Sequence, residues 1–176
     1  MRIALIGPES TGKTTLAAHL AQRCGGVWVK EYAREYVEER GGQYRYEDVE
    51  AIARQQIAEL CQDYGKADVF FDTELIITKV WFLHKYGHCP AWVDEAIMAY
   101  PMDAYLLLYP DIAWEADPVR ENGDIREALF EKYRTEVRRT RVPYSIVRAR
   151  ERALLLEEQP ERIADLLHRL HFDTEA

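Results

Sequence analysis

The apolar positions of this chain form short runs and helical stripes that follow one another in turn. Five short apolar runs predict β-strands at 2–7, 27–30, 68–71, 105–109 and 144–147. Apolar residues at helical spacing predict helices after residue 12, from 46 to near 65, over 75–86, over about 92–99 and over 163–170. This alternation is typical of an α/β fold. We therefore predict a five-stranded parallel sheet sandwiched by helices.

One segment breaks the alternation. Residues 111–137 are polar and carry charges of both signs, and residues 111–127 offer few candidates for a hydrophobic core. Polar segments of this kind commonly lie on the surface of a domain and carry function. A chain of 176 residues has the length of one domain. We predict a single domain over residues 1–176, with a lid at about 111–137.

A phosphate-binding motif follows the first predicted strand. Residues 7–14 read GPESTGKT and match the P-loop pattern G-x-x-x-x-G-K-[ST], in which backbone N–H groups and the start of a helix hold phosphates. Lys13 would approach the β- and γ-phosphates, and the Thr14 hydroxyl would join a Mg²⁺ shell. The alternative interpretation is a purely structural glycine-rich turn that binds no ligand. The predicted ATP-binding residues are Gly7, Glu9, Ser10, Thr11, Gly12, Lys13, Thr14 and Thr15.

Acidic residues stand just after the second and third predicted strands. Ligands of open parallel sheets bind outside the carboxyl ends of the strands, so Glu31 and Asp72 are candidates for the site. Asp72 has the position of a metal-side aspartate, and Glu31 is placed to take the proton of an acceptor hydroxyl. The two roles are interchangeable at this level. The predicted catalytic residues are Lys13, Glu31, Asp72, Arg120 and Arg126, the two arginines lying in the polar segment.

The charge and composition of the chain limit the kinds of partner that it is expected to bind. The formal net charge is −8, so the chain lacks the positive footprint expected of a nucleic-acid binder. One local cluster of basic residues stands against this overall negative charge, and it is either a solvated helix face or part of a phosphate-facing lid. The cluster consists of Arg134, residues 138–141, Arg148, Arg150 and Arg152. No apolar run approaches the length of a membrane span, and no leader precedes the first strand, which indicates a cytoplasmic protein. The sequence indicates no oligomeric state.

Other P-loop classes fit poorly. The chain contains no Asn-Lys-x-Asp motif of the kind that reads the base in GTPases. An AAA-type motor should carry adjacent Asp-Glu residues after the third strand, whereas Thr73 here separates Asp72 from Glu74. Phosphoryl transfer needs a metal, a lysine, an arginine and a group that orients the nucleophile. The sequence offers candidate residues to hold the metal and to fill the other three roles. A small-molecule kinase is the natural class.

Five stretches of the chain resemble the ribosylnicotinamide kinase domain of the bacterial NadR family. The loop resembles that family's G-x-E-S-[ST]-G-K-[ST] version, and residues 31–37 (EYAREYV) resemble its Glu-Tyr-x-Arg-Glu-Tyr-Val segment. Residues 46–56 resemble its next helix, with Gln56 in register with a family glutamine, and residues 71–74 followed by Thr78 resemble its Asp-Thr-[DE] strand end. Residues 117–120, with Arg126 beyond, look like its lid.

The resemblance implies a reaction in which ATP, with Mg²⁺, phosphorylates the 5′-hydroxyl of a small nucleoside, nicotinamide riboside, to give nicotinamide mononucleotide. Thr14 and Asp72 would hold the metal. The cationic pyridinium would favour carboxylates and aromatic faces, and Tyr32, Tyr36, Tyr44, Trp81 and Trp114 are candidates for stacking. A kinase for another nucleoside, a vitamin precursor or a polynucleotide 5′-hydroxyl end remains an alternative, as does an ATP-binding regulatory module. The implied substrate-binding residues are Glu31, Tyr32, Arg34, Gln56, Asp72 and Trp81.

Overall fold

A computed structural model describes residues 1–115 and 122–157 of the chain, and the structural statements below concern those residues. The strands are β1 (Arg2–Ile6), β2 (Val27–Val29), β3 (Val69–Asp72), β4 (Ala104–Leu108) and β5 (Tyr144–Val147). The helices are α1 (Lys13–Cys24), α2 (Tyr32–Glu39), α3 (Tyr46–Cys61), α4 (Leu75–Tyr86), α5 (Ala91–Ala99), α6 (Arg126–Thr140) and α7 (Ala149–Glu157). A 3₁₀ turn at Gly123–Ile125 leads into α6.

The five strands form one parallel sheet in the order β2-β3-β1-β4-β5. The predicted fold class and all five predicted strands are therefore confirmed, with ends that differ by at most one residue. Because every strand points the same way, the carboxyl ends of β1, β2 and β3 meet at one edge of the sheet. That edge is where the phosphate loop, Glu31 and Asp72 lie side by side.

Alternate residues of the strands enter two separate cores. From β1, Ala4 and Ile6 face a core shared with α3, α4, α5 and α6, whereas Ile3 and Leu5 face a core shared with α1 and α7. All four side chains are fully buried. Burial on both faces explains why the strands read as continuous apolar runs rather than as alternating ones. The sheet is thus the middle layer of three, as predicted.

Helices α2, α6 and α7 were not predicted. In α2 Val37 alone is buried, so this short helix has no stripe of several buried apolar residues. Helix α6 is rich in charge, yet Leu129, Phe130, Tyr133 and Val137 bury one stripe against the core. The predicted lid at 111–137 is therefore too long, because residues 126–137 are part of a core helix. The helix predicted at 163–170 lies outside the described residues.

Among the described helices none is both long and apolar enough to cross a membrane. Cys24, Cys61 and Cys89 are free cysteines in the structure.

Candidate active site

The loop between β1 and α1 has the shape of a phosphate nest. Gly7 and Gly12 adopt φ angles of 147° and 81°, a backbone region that residues other than glycine rarely adopt. A Cβ on Gly7 would lie 2.6 Å from the carbonyl oxygen of Leu108, so this position also needs glycine for space. Helix α1 begins at Lys13 with no capping side chain and no acidic residue in its first turn. The N–H groups and the positive end of α1 are thus left for an anion.

Lys13 lies folded against this loop. Its Nζ donates hydrogen bonds to the carbonyl oxygens of Gly7, at 3.0 Å, and Pro8, at 2.9 Å. The Thr11 hydroxyl donates to the same Pro8 oxygen at 2.9 Å. The Lys13 ammonium therefore sits across the mouth of the nest, where it can turn toward a phosphate by rotating a flexible side chain.

Glu9 and Ser10, predicted to bind ATP, contact the segment after β4. The Glu9 carboxylate accepts from the backbone and side-chain N–H groups of Asn122, at 3.1 and 3.4 Å. The Ser10 hydroxyl donates to the Ala113 carbonyl at 3.4 Å and accepts from the Glu115 N–H at 3.0 Å. These two side chains thus fasten the segment over the phosphate loop, which the sequence motif alone did not reveal.

Arg126, predicted to be catalytic, completes the same fastening. Its guanidinium donates to the carbonyl oxygens of Ser10, at 3.3 Å, and Ile112, at 3.1 Å, and lies over the Trp114 ring at 5.5 Å. Arg126 does not line the cavity of the site in this arrangement. Its contacts are those of a residue that joins the loop to the segment above it. Arg120, predicted as its catalytic companion, lies outside the described residues.

Asp72 lies buried at the end of β3, with 1% of its surface exposed. Neither carboxylate oxygen makes a hydrogen bond of standard geometry with the described residues, although the Thr14 hydroxyl lies close to it. Burial raises the pKa of Asp72, and the nearby Thr14 hydroxyl, Lys13 and Arg34 partly offset that rise. An unpartnered buried carboxylate is costly, so a ligand at this point would relieve it.

The residues present fit a Mg²⁺ ion. Magnesium is usually held by one or two carboxylates together with substrate phosphates and water. Asp72 and the Thr14 hydroxyl supply that set beside the phosphate nest. Within residues 1–115 and 122–157 no group of three or more His, Cys, Asp or Glu side chains is placed to hold a metal ion.

Glu31 stands at the N-terminus of α2, facing the same space as Lys13. Burial raises the pKa of Glu31 above its ordinary value of 4.5, Asp72 and Glu9 raise it further, and Lys13 and Arg34 lower it. A carboxylate with a raised pKa is a stronger base, closer to the pH at which an enzyme works. Glu31 therefore has the chemistry of a general base.

A cavity of about 390 Å³ extends from the phosphate loop to side chains of α2, α3, α4 and α6. We call this second part of the cavity the acceptor half, and it is lined by Glu31, Arg34, Tyr44, Gln56, Thr78, Trp81 and Tyr133. Tyr44, just before α3, packs edge-on against Trp81 with 4.7 Å between ring centroids. The phosphate-loop residues and Arg152 form the nucleotide half.

Gln56 and Thr78 form a buried pair in the wall of the acceptor half. The Thr78 hydroxyl donates to the Gln56 side-chain oxygen at 2.7 Å. Both residues are almost fully buried, with 4% and 1% of their surfaces exposed. This bond fixes the amide of Gln56, so that its two N–H groups are left to donate to an acceptor molecule.

The structure brings most of the predicted site residues to the cavity, but among the described residues Tyr32, Asp72 and Arg126 do not line it. Gly7, Lys13, Glu31, Arg34, Gln56 and Trp81 line the cavity, together with the rest of the predicted loop residues. Tyr32 does not line it. Its ring packs against Tyr36 at 5.7 Å on a different side of α2 from Arg34, so its prediction as a substrate-binding residue lacks support in the geometry.

The sequence did not assign several lining residues to the site, among them Thr78 as a partner of Gln56, Tyr133 and Arg152. Burial, with Glu9 and Glu31 nearby, strongly raises the pKa of Tyr133, which keeps its hydroxyl protonated and able to donate. Tyr133 belongs to α6, whose apolar stripe was readable but was masked by the charge of the segment. Arg152 was part of the basic cluster whose role was left open.

The chain is similar to a known family and to proteins of known activity. A family model described as AAA domain matches residues 2–153. The trifunctional NAD biosynthesis/regulator proteins NadR of Salmonella typhimurium and of Escherichia coli K12 are each 32% identical over 128 residues, which is 69% of this chain and 31% of the relative. The chain therefore spans about a third of the length of these curated relatives.

Two solved structures share the fold. A crystal structure of NadR protein in complex with NR has a TM-score of 0.70 at 23% identity and covers 82% of this chain and 43% of that chain. A structure of deoxyadenosine kinase from M. mycoides, with dCMP and a flexible dCDP bound, has a TM-score of 0.67 at 16% identity and covers 96% and 100%. At these identities the likeness concerns the fold.

The parallel sheet, the phosphate nest and the uncapped start of α1 define a P-loop nucleotide-binding protein. The family match extends over most of the chain, and the chain belongs to the AAA domain family. It does so although Thr73 stands between Asp72 and Glu74, where an AAA-type motor should have adjacent acids. Glu74 is not a second acid of the cavity, because its carboxylate caps α4 by accepting from the Ile76 N–H at 2.9 Å.

Proposed function

We propose that this protein is a nicotinamide riboside kinase, which transfers the γ-phosphoryl group of ATP to the 5′-hydroxyl of the riboside. The products are nicotinamide mononucleotide and ADP. The observation that carries the proposal is the cavity in which the phosphate nest and the acceptor half meet at Glu31, with Asp72 buried close to it. The similarity to NadR, a protein of NAD biosynthesis, supports the choice of acceptor.

The nucleotide half would bind the donor. The backbone N–H groups of the loop and the start of α1 would hold the β- and γ-phosphates, and Lys13 would turn from the Pro8 carbonyl to the charge that develops on the transferring group. Thr14 and Asp72 would hold Mg²⁺, which supplies charge neutralisation at the phosphates when bound. Preorganised charge of this kind is the main contribution of such a protein to phosphoryl transfer.

Glu31 would act on the acceptor. Its carboxylate accepts the proton of the 5′-hydroxyl as that oxygen forms a bond to the γ-phosphorus, and the bond from phosphorus to the β,γ-bridging oxygen breaks with its electron pair leaving on ADP. We assign the base to Glu31 rather than Asp72 because Glu31 lines the cavity, whereas Asp72 is fully buried next to Thr14.

The acceptor half suits a flat, cationic base. Gln56 offers amide donors held by Thr78, which would bind an oxygen of the riboside. Lys85 already covers one face of the Tyr44 ring at 3.9 Å, so the Trp81 ring is the aromatic surface that we assign to the pyridinium. ATP is abundant in the cytoplasm, and a cytoplasmic site of action is part of this proposal.

The fold shared with deoxyadenosine kinase makes a different nucleoside the alternative acceptor. The test is a panel of ribosides under one set of conditions: nicotinamide riboside, adenosine, deoxyadenosine, deoxycytidine and an oligonucleotide with a 5′-hydroxyl end, each with ATP and Mg²⁺. Chromatography of the monophosphate products gives kcat/KM for every acceptor. The proposal expects nicotinamide riboside to exceed the others by at least about tenfold, the effect of one well-placed interaction. A higher kcat/KM for a neutral nucleoside would contradict the assignment.

A further inference from the structure

Arg152 reaches from α7 to the phosphate loop, which lies 141 positions earlier in the chain. Its Nη1 donates a hydrogen bond to the carbonyl oxygen of Thr11 at 3.0 Å. The same group packs on Gly12, where a Cβ would lie 2.3 Å from Nη1. Arg152 thus contacts the Thr11–Gly12 peptide of the phosphate loop from outside that loop. It also lines the nucleotide half of the cavity.

Helix α7 is anchored at both ends of the stretch that carries Arg152. The Ala149 N–H, at the start of the helix, donates to the Asp111 carboxylate at 2.9 Å. Leu155, one turn after Arg152, is buried in the core that α7 shares with α1. The position of the guanidinium is therefore set by the fold as well as by its hydrogen bond to Thr11.

The geometry of the peptide unit links this contact to the phosphate site. In a trans peptide the C=O of one residue and the N–H of the next point in opposite directions. An arginine that holds the Thr11 carbonyl therefore also holds the Gly12 N–H, turned away from Arg152. Gly12 adopts a left-handed conformation with φ of 81° that the chain must maintain without a side chain to lock it.

We propose that Arg152 is a positioning residue for the donor nucleotide, which fixes the Thr11–Gly12 peptide so that the Gly12 N–H is preset to meet a phosphate oxygen. Its permanent positive charge adds to the field of the nest. The Nε of Arg152 is buried and has no acceptor among the described residues, so the contact is kept despite a polar cost. The inference rests on the proposed function in one respect, namely that ATP binds at this loop.

The test measures binding without turnover. Isothermal titration gives the Kd of a nonhydrolysable ATP analogue, with Mg²⁺, for the wild type, Arg152→Ala, Arg152→Lys and Arg150→Ala. Arg150 lies on the same helix, is exposed and does not line the cavity, which makes it the matched control. We expect Arg152→Ala to raise the Kd about tenfold or more, the effect of losing a hydrogen bond to a charged group, with Arg150→Ala unchanged. Arg152→Lys, which keeps the charge and loses the fork, should fall between them.

A readout beyond binding separates positioning from general loosening of the fold. In turnover assays Arg152→Ala should raise the KM for ATP and leave the KM for the nucleoside unchanged. Equal Kd values for Arg152→Ala and the wild type would overturn the inference, and so would equal rises in both KM values. Should Arg152→Ala fail to fold, the Kd of Arg152→Lys decides in the same way. A wild type that binds the analogue but phosphorylates no nucleoside would overturn the proposed function alone, because the binding comparison still stands.

Discussion

The two halves of the cavity are assembled in different ways. The nucleotide half comes from one continuous stretch, residues 7–15, with Arg152 as its distant support. The acceptor half takes Arg34 from α2, Gln56 from α3, Trp81 from α4 and Tyr133 from α6, so its shape depends on how four helices pack on one face of the sheet. The nucleotide half is therefore fixed by local chain geometry, whereas the acceptor half is fixed by tertiary packing.

This difference has a functional consequence. Changes in the nucleotide half should act on every reaction that the protein catalyses, because every acceptor needs the same donor. Changes in the acceptor half should alter the choice of acceptor and leave ATP binding as it is. The predictions below test that division, beginning with the largest expected effect.

The largest effect is expected at Lys13. Replacing it by alanine in Lys13→Ala removes the mobile charge that would follow the transferring phosphoryl group, and we expect kcat to fall by about 10³-fold for all acceptors. Steady-state assays with two different nucleosides check this. A circular dichroism melt should show an intact fold, because within the described part of the chain the Lys13 ammonium donates to carbonyls of its own loop. A loss confined to one acceptor would break the proposed division.

Glu31→Gln should lower kcat by about 10²-fold, because it removes the base while keeping the size of the side chain. The pH profile is the sharper measurement. A base works when it is deprotonated, so wild-type kcat/KM should fall as pH falls through the raised pKa of Glu31, above the ordinary value of 4.5. In Glu31→Gln this acid limb should disappear. A limb that persists would instead assign the base to Asp72, whose pKa is also raised by burial.

Gln56→Ala should raise the KM for nicotinamide riboside by about tenfold, with the KM for ATP unchanged, because one or two hydrogen bonds to the acceptor are lost. Gln55→Ala is the matched control, since its neighbouring amide is exposed and donates to Glu59 on the same helix at 3.3 Å. Thr78→Val should reproduce part of the Gln56→Ala effect, as it frees the amide to rotate. An unchanged KM in both variants would show that the pair plays no part in acceptor binding.

The smallest effect is expected at Trp81. Trp81→Leu should raise the KM for the cationic riboside by about two- to fivefold, the range of a partly exposed cation–π contact, and should affect a neutral nucleoside less. Trp81→Phe, which keeps an aromatic face, should recover part of the loss. Equal changes for cationic and neutral acceptors would show that the ring contributes shape and not charge recognition.

The sequence revealed the two halves to different degrees, for the same physical reason. The phosphate loop, residues 7–14, is a local motif between a strand and a helix, so its place followed from the pattern alone. Glu31 and Asp72 followed from their positions after β2 and β3 in a parallel sheet. Gln56 and Trp81 were found through the family resemblance.

The remainder required tertiary structure. Tyr133 lies on α6, where a charged surface concealed a buried stripe, and Arg152 depends on the capping of α7 by Asp111. Tyr32 and Tyr36 pack on each other, a choice of helix face that the sequence does not decide. Glu9 and Ser10 line the cavity, and the motif did not reveal that their side chains also hold the segment after β4.

The central claim is that one cavity carries a phosphoryl group from ATP to a nucleoside. The most direct measurement uses ATP labelled in its γ-phosphate, with Mg²⁺ and nicotinamide riboside, and follows where the label goes. The account predicts labelled nicotinamide mononucleotide in a one-to-one ratio with ADP, and no ADP above background without the riboside. Label that appears only as inorganic phosphate, at a rate that the riboside does not change, would contradict it.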